Sequence, residues 1–502
     1  MRKESSGPAV TINEETESDF LFVFEPAKKD SAQPRGYCFV NPIEVLTLKD
    51  PENIDEFFDR LEKYSRDYYL AGYFSYELGC ALEEVLLGYC FEERLAAFAR
   101  SVFPFAQFGV FKERYVNDIF SGKKTEYRLK PADASYRIKD MKLDISRGRY
   151  IENVNKIKKY ILKGDIYQAN YTARYNFSFS GSELALYLNL KECQQGLYNC
   201  YCKSGGRHIL SLSPELFFEK TGSTIMVKPM KGTAGRGVKS VEDRKIKESL
   251  AADEKNRSEN LMIVDLLRND LSKISQRGSV KVEKLYEIEK YPTLFQMTST
   301  VKSRLSGGTG IRQIIESLFP SGSVTGAPKI RAMEIINELE ETPRNIYCGA
   351  MGYFEPGGNA KFNVAIRTAT IESGRGVFPA GGGIVNDSDP DGEFEELKLK
   401  ARFLTRPVNE FKLVETILYD GRCRFLKEHL ERMEDSAEYF NFSFNGKKTF
   451  KQIKKICSGP EKGRYKVRVL GSRAGRVSIA AEKVGIKESE YKLTLSAKNT
   501  DS

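Results

Sequence analysis

Ile225-Met226-Val227-Lys228-Pro229-Met230-Lys231-Gly232-Thr233-Ala234-Gly235-Arg236-Gly237 organises the reading of the whole chain. A β-branched, apolar run stops at Pro229, and proline, having no N–H for a sheet ladder, marks a strand end. Two residues later a lysine stands at the mouth of a glycine-rich turn. Glycines let backbone come close to a ligand and turn N–H groups toward an anion. A lysine held there can act as a nucleophile if its charge is suppressed. Taken by itself, the stretch reads more plainly as a hairpin turn with a solvated lysine.

Working outward, the 502-residue chain is long enough for about three domains. Hydrophobic residues at 40% and charged residues at 29% are those of a globular protein. The net charge of +10 is spread along the chain. No basic block carries interleaved aromatics, which argues against nucleic acid and leaves an anionic small substrate. Among nine cysteines only Cys200 and Cys202 are close, and no second pair completes a zinc site. Reduced thiols in a cytoplasmic protein are expected. The N-terminus lacks a signal peptide pattern, and no stretch approaches the ~20 apolar residues of a membrane span. Two histidines, His208 and His429, exclude a histidine-cluster mechanism.

Residues 1 to about 18 are polar and expected to fray. Phe20 to Phe24, Tyr37 to Val40 and Ala71 to Tyr76 read as strands, with a helix opened by Asp50-Pro51 between them. The charged segment Lys123 to Asp140 reads as a bridge. A helix from Ser146 ends at Lys163-Gly164, where glycine suits a left-handed C-cap. The alternating strand Asp165 to Arg174 follows, presenting either a solvated face or a pocket wall. His208 to Phe218 is a strand broken at Ser213-Pro214-Glu215. Val241 to about Ile274 is mostly helical and contains Glu259 and Asp270.

Pro320 to Lys329 reads as a turn feeding a helix, whose N-terminus can receive an anion. Tyr347 to Phe354 and Phe362 to Ile371 read as paired strands, with Arg367 inside the second. A buried arginine needs a partner, and a ligand carboxylate is one candidate. Ala380-Gly381-Gly382-Gly383-Ile384-Val385 leaves bare backbone facing something. Asp391-Gly392 starts a helix in which Glu393, Glu396 and Lys400 share a face, as a surface stripe or a pocket wall.

These stretches together resemble the chorismate-utilising enzymes, and among them the aminodeoxychorismate synthase component I family. The matching words are Gly164-Asp165-Ile166-Tyr167-Gln168-Ala169-Asn170, Leu212-Ser213-Pro214-Glu215, Lys228-Pro229-Met230-Lys231-Gly232-Thr233, Glu259-Asn260-Leu261-Met262-Ile263-Val264-Asp265-Leu266, Gly322-Ser323-Val324-Thr325-Gly326-Ala327-Pro328-Lys329 and Gly381-Gly382-Gly383-Ile384-Val385. They come in the family's order over about residues 146 to 405, and the front third matches more weakly. The resemblance implies an α+β fold, a two-layer sandwich of large antiparallel sheets flanked by helices. It implies an N-terminal scaffold over 1–140 and a chorismate-binding catalytic region over 141–406. It also implies Mg²⁺ on Glu259 and Glu396, which suits an ion that takes few carboxylates plus substrate oxygens. Arg367, Tyr353 and the backbone of Gly381, Gly382 and Gly383 would hold the enolpyruvyl carboxylate, with Lys400 near the metal. Gln168, Thr233, Gln296, Thr325 and Gly326 complete the implied substrate contacts.

Two positions separate reactions within the family. A lysine that activates water in isochorismate and salicylate synthases is here Gln168, which disfavours a water nucleophile. An alanine of anthranilate synthases is here Lys231, as in aminodeoxychorismate synthases. The resemblance therefore implies attack by Lys231 on C2 of chorismate, with Glu215 protonating the departing 4-hydroxyl. Ammonia then adds at C4, giving 4-amino-4-deoxychorismate, the precursor of p-aminobenzoate and folate. Two departures stand out: Gln296 replaces a histidine of several relatives, and Ala234-Gly235 replaces the usual Arg-Pro. No amidotransferase triad is present, so a separate glutamine amidotransferase is the expected partner.

After Arg406-Pro407 the pattern restarts. Phe411 to Leu418 and Phe425 to Phe440 read as a hairpin and helix, and Arg464 to Ala481 as two strands. Residues 407–502 resemble the front half of a class IV pyridoxal-phosphate lyase. The Schiff-base lysine of such enzymes lies in a downstream motif, so neither pyridoxal phosphate nor lyase activity is expected here. The alternatives are an anthranilate synthase component I and an inactive scaffold that binds an amidotransferase.

Overall fold

A computed structural model describes residues 9–18, 20–26, 35–83, 85–86, 103–118, 125–194, 196–237, 240–291, 294–405, 411–440, 442–457, 463–472 and 475–484. Residues 1–8 of the polar N-terminus and the Arg406-Pro407 break lie outside the described residues. The chain forms two compact units. One is built from Met1–Thr233, Ala251–Tyr291 and Gln296–Val408, and the other from Ala234–Leu250, Pro292–Phe295 and Asn409–Ser502.

The larger unit is organised by two ten-stranded sheets. In the first, strands run in the order Gly326–Ala327, Gln168–Gly181, Arg375–Ile384, Thr368–Glu372, Arg207–Ser213, Tyr198–Ser204, Phe20–Glu25, Arg35–Phe39 and Tyr115–Asp118, with Tyr136–Leu143 beside Gln168–Gly181. In the second the order is Met230–Gly235, Leu294–Arg304, Thr224–Lys228, Leu216–Thr221, Ala360–Val364, Ala350–Phe354, Tyr69–Phe74, Ala106–Phe111 and Glu44–Leu48, with Lys281–Lys290 beside Leu294–Arg304. Pairing within both is antiparallel wherever its register is resolved. Residues 20–118 supply strands to both sheets, so the front of the chain is woven into the same body as the motifs.

Side-chain alternation explains the layering. Phe20, Phe22, Phe24 and Phe39 of the first sheet meet Tyr73, Met351 and Tyr353 of the second in one cluster, which is the seam between the sheets. The opposite face of the second sheet is covered by the helices Ile54–Tyr64, Glu254–Ser272 and Ile311–Leu318, through residues such as Phe58, Ile263 and Ile315. The opposite face of the first sheet is covered by Arg147–Leu162, Glu183–Gln194, Lys329–Leu339 and Pro390–Ala401, through Val154, Leu186, Ile336 and Leu397. Each fully buried aromatic or aliphatic side chain contributes about 1.5–3 kcal/mol of transfer free energy. The architecture is the expected α+β sandwich.

Several boundaries differ from the sequence reading. Pro229 ends one strand, but the chain resumes at once as strand Met230–Gly235, so Lys231 stands in a strand and not at a turn. Arg367 falls between strands Ala360–Val364 and Thr368–Glu372, in a left-handed conformation at φ 50°. The charged segment read as a bridge contributes the strands Tyr127–Leu129 and Tyr136–Leu143. The helix read from Asp391 starts at Pro390, capped by Asp389, whose side chain accepts from the Gly392 N–H.

The smaller unit has its own core. Strands Leu413–Tyr419, Tyr465–Gly471 and Val477–Lys483 form an antiparallel sheet. Helices Leu426–Phe440 and Gly446–Cys457 join it around Ile417, Met433, Ile453, Val467 and Val469. The second helix was not anticipated, and the expected hairpin is replaced by a strand followed by a helix.

Candidate active site

Glu215 lies in the break between strands Arg207–Ser213 and Leu216–Thr221 and is 3% exposed. Its backbone is fixed on both sides: its N–H donates to Ser213 Oγ at 3.2 Å and its carbonyl accepts from Val364 N–H at 3.1 Å. Burial raises its carboxyl to about 7, against the opposing pull of the Ser323 hydroxyl, Lys231 and the Met230 N–H. Lys231 is held below the ordinary lysine value, first by burial. Glu259 and Glu215 oppose that shift and Lys400 adds to it. An acid near neutrality and a weakened ammonium are therefore electrostatic neighbours, the arrangement that suits proton transfer beside a nucleophilic amine.

The three-glycine run explains how Lys231 is received. Gly381, Gly382 and Gly383 pair with Thr172, Tyr171 and Asn170 across the first sheet. A methyl group on Gly383 would stand 2.7 Å from Gln168 Nε2 and 2.9 Å from Lys231 Nζ. The second sheet's lysine thus meets the first sheet over a strand that must be bare there. Gln168 is fully buried, and neither its Nε2 nor its Oε1 has a hydrogen-bond partner among the described residues. An orphaned buried amide beside an amine marks a place for a polar ligand. Gly326 is needed for a different reason: its φ is 151° and a methyl group there would lie 2.1 Å from the Gln168 carbonyl oxygen.

Glu393, Glu396 and Lys400 converge on the same glycines. A methyl group on Gly382 would lie 3.1 Å from Glu393 Oε2, 3.7 Å from Lys400 Nζ and 4.0 Å from Glu396 Oε1. Lys400 Nζ is 2.6 Å from Glu396 Oε1 and donates to the Gly381 carbonyl at 2.8 Å. Glu396 is drawn up by burial, yet Lys400, Lys231 and Lys255 bring it below the usual carboxylate value. Glu393, which accepts from the Ser388 hydroxyl at 2.7 Å, is raised, chiefly by burial and also by Glu396. Glu259 lines a cavity of about 540 Å³ with Lys255, Ser258, Ile166, Tyr167 and Asn386. The spacing of Glu393 was visible in the sequence, but the residue was absent from the implied site.

Other expected residues take distinct places. Thr233 Oγ1 donates to Gln296 Oε1 at 2.9 Å, and Gln296 Nε2 donates to the Gly232 carbonyl at 2.9 Å. Gln296 thus braces the Lys231 strand. Thr325 is fully buried, its carbonyl accepting from Asn170 N–H at 2.7 Å. Arg367 is weakened by burial, with Tyr291 and Tyr347 opposing. Tyr353 is a correction: its ring packs in the seam, with centroids 5.3 Å from Phe24 and from Tyr37. Alternation along Ala350–Phe354 sends it between the sheets, and Tyr291 and Tyr347 are the phenols electrostatically coupled to Arg367.

A buried ion pair that the sequence did not reveal supports this frame. Arg344 and Glu340 are 3% and 8% exposed. Arg344 donates to Glu340 Oε1 at 2.7 Å, to the Val324 carbonyl at 2.9 Å and to the Asn170 carbonyl at 2.6 Å. Glu340 Oε1 also accepts from the Thr172 N–H and hydroxyl at 2.9 and 2.8 Å. One pair therefore ties the loop carrying Ser323 and Thr325 to the strand carrying Gln168. Lys329, read only as part of a motif, pairs with Asp270 at 2.9 Å and so ties that motif to helix Glu254–Ser272, which carries Glu259.

Comparisons with known proteins agree with this arrangement. The chain is 39% identical over 257 residues to aminodeoxychorismate synthase component 1 of Escherichia coli (strain K12), covering 51% of this chain and 57% of that protein. It is 34% identical over 333 residues to the protein of the same name from Klebsiella aerogenes, covering 65% and 74%. Anthranilate synthase component 1 of Methanothermobacter thermautotrophicus matches at 34% over 371 residues, covering 70% and 78%. Among solved structures, anthranilate synthase component I from Streptococcus pneumoniae superposes with a TM-score of 0.65 at 25% identity, covering 75% of this chain and 93% of that one. The menaquinone-specific isochorismate synthase of Escherichia coli shares the fold, with a TM-score of 0.61 at 17% identity over 78% and 90%. The family model for chorismate binding enzymes matches residues 19–406, most of the chain, and the protein belongs to that family.

Proposed function

We propose that the chain is the component I of an aminodeoxychorismate synthase, which converts chorismate and ammonia to 4-amino-4-deoxychorismate. The observation that carries this reading is Lys231: a lysine weakened by burial, beside Gly383 and Gln168, with Glu215 poised near pH 7. Lys231 Nζ bonds to C2 of chorismate, both ring double bonds shift by one position, and the C4–O bond breaks as Glu215 gives its proton to the leaving hydroxyl, which departs as water. Ammonia bonds to C4, both double bonds shift back, and the C2–N bond breaks to restore Lys231. The proton lost by the incoming nitrogen returns to Glu215. Gln168 supplies an amide dipole and no base, which suits a site that excludes water as nucleophile.

Glu259 and Glu396 are the residues that would hold Mg²⁺. Glu259 lines the open cavity, and both carboxylates act on Lys231, a donor set that fits an ion taking its remaining oxygens from substrate and water. Glu396 already holds a cation in Lys400 Nζ. When bound, Mg²⁺ supplies positive charge that neutralises the substrate's ring carboxylate. A separate glutamine amidotransferase is the proposed source of ammonia. Incubation with chorismate, Mg²⁺ and an ammonium salt tests the reading by product analysis. Aminodeoxychorismate supports it, anthranilate assigns the chain to the sister activity, and no turnover marks a non-catalytic scaffold.

A further inference from the structure

The family match ends at residue 406, yet the unit containing residues 409–502 also takes in Ala234–Leu250 and Pro292–Phe295. Each of these pieces is joined directly to a residue of the candidate site: Ala234 follows Thr233, and Phe295 precedes Gln296. Thr233 and Gln296 are themselves hydrogen-bonded, and Gln296 also holds the Gly232 carbonyl. The chain leaves the site's two neighbouring strands and becomes part of the C-terminal unit within a residue of that bond.

One cluster inside the smaller unit gathers these pieces. Arg236 Nε lies 2.9 and 2.8 Å from the two carboxylate oxygens of Asp243, and its Nη2 also contacts Oδ2. The same Nη2 donates to the Tyr439 carbonyl at 2.8 Å. The guanidinium lies over the Tyr439 ring at 4.7 Å and the Phe295 ring at 5.3 Å. Tyr439 OH donates to the Gly237 carbonyl at 2.5 Å. The side chains of Arg236 and Asp243 are 5% and 8% exposed, so the pair is desolvated and depends on these partners. Tyr439 stands in the last turn of helix Leu426–Phe440, outside the matched family region.

We propose that Tyr439 is a positioning residue for the catalytic strand. By holding Arg236 and Gly237, it anchors the chain just past Lys231-Gly232-Thr233 and fixes Lys231 Nζ against Gly383 and Gln168. Tyr439 thereby serves the chorismate reaction without being a reacting group. The kinetic part of this inference rests on the proposed function, and the structural part does not.

The test uses the full chain with Tyr439→Phe, which keeps the ring, and Tyr439→Ala, which removes ring and hydroxyl. Amide hydrogen exchange is followed at residues 232–237, and kcat and KM for chorismate are measured with an ammonium salt. Tyr439→Ala is expected to speed exchange at 232–237 about tenfold and to lower kcat about tenfold, with KM within about twofold. Tyr439→Phe, which keeps the ring under Arg236 but loses the hydroxyl bond to Gly237, should recover only part of both. Unchanged exchange at 232–237 in Tyr439→Ala overturns the proposal. So does an equal acceleration through Leu413–Tyr419 and Tyr465–Gly471, which would mark a merely structural tyrosine. If the unsubstituted chain turns over no chorismate, the proposed function falls, and exchange alone decides the anchoring.

Discussion

Replacing Glu215 by glutamine should change how stability depends on pH, and the sign follows from the burial of the carboxyl. Glu215 is held at about 7 in place of the ordinary 4.5, chiefly because it is buried. A group that binds its proton more tightly in the native chain than in the unfolded chain makes stability fall as pH rises between the two values. The window is therefore about pH 4.5 to 7. Below it Glu215 is protonated in both states and carries no penalty. Above it the native carboxylate carries the full penalty, about 3 kcal/mol at 1.36 kcal/mol per pH unit. Glutamine has the same shape and does not ionise. Any fixed strain of the amide against the Ser323 hydroxyl and Met230 N–H is the same at each pH and cancels. Equilibrium urea unfolding of both chains, without Mg²⁺ or substrate, at pH 4 and pH 8 gives the comparison. The stability of Glu215→Gln relative to the parent should grow by about 2–3 kcal/mol between them. Repeating the pair in a Lys231→Met background removes the coupled titration of the neighbouring amine. Growth below about 0.5 kcal/mol in both backgrounds, or the opposite sign, refutes the reasoning that burial governs this carboxyl.

The same residues set the kinetics. With Glu215 as the acid and Lys231 as the free amine, log kcat/KM for chorismate should fall with slope −1 once the pH passes the higher of their two pKa values. In Glu215→Gln the rate should drop by about 10²–10⁴ and that alkaline limb should vanish, as a pH-rate series will show. Lys231→Ala should abolish or divert formation of aminodeoxychorismate, measured by product chromatography, and full retention of the normal product rules out the lysine adduct. Gly383→Ala places a methyl group 2.7 Å from Gln168 Nε2 and 2.9 Å from Lys231 Nζ. Its kcat should fall about tenfold or more while the chain stays folded by circular dichroism. Glu340→Gln leaves Arg344, 3% exposed, without its counter-charge. Thermal unfolding should report a loss of about 3–5 kcal/mol.

How much of this was readable from residues alone depends on how local the cause is. Ser146 as helix cap, the Gly164 C-cap at φ 81° and the Ser213-Pro214-Glu215 break all follow from neighbours within a few positions. The packing faces of Ile54–Tyr64 and Arg147–Leu162 follow from helical spacing. Elements whose stability comes from partners far along the chain were missed or misplaced. Tyr136–Leu143 is half charged and its alternation slips at Lys139-Asp140, and it becomes a strand because Gln168–Gly181 offers it an edge. The strand past Pro229 forms beside Leu294–Arg304, a partner no local pattern names. Arg344 and Glu340 look like an ordinary i, i+4 surface pair until the fold buries them under Val324 and Asn170. Tyr353 was assigned by its place in a motif, whereas its direction is decided by the strand's alternation.

The charge arrangement explains why acid and amine need each other to be placed as they are. Lys231 faces Glu215, Glu259 and Glu396, which would by themselves hold its ammonium charged. Burial and Lys400 act in the other direction, and they prevail. A cation bound by Glu259 and Glu396 would weaken the carboxylates' hold on the Lys231 proton further. Substrate binding would exclude water and deepen the desolvation of both groups. Glu215 responds with the opposite sign to the same exclusion, since desolvation favours its protonated form. Exclusion of water by a bound substrate thus drives the amine toward its free-base form, against the pull of the substrate's own carboxylates, and the carboxyl toward its acid form. These are the two protonation states the proposed first step requires. Desolvation alone would produce both, so titrating the lysine and the glutamate with a chorismate analogue bound should show the lysine's pKa lower and the glutamate's higher than in the free chain. If both move in the same direction on binding, exclusion of water is not what sets their states.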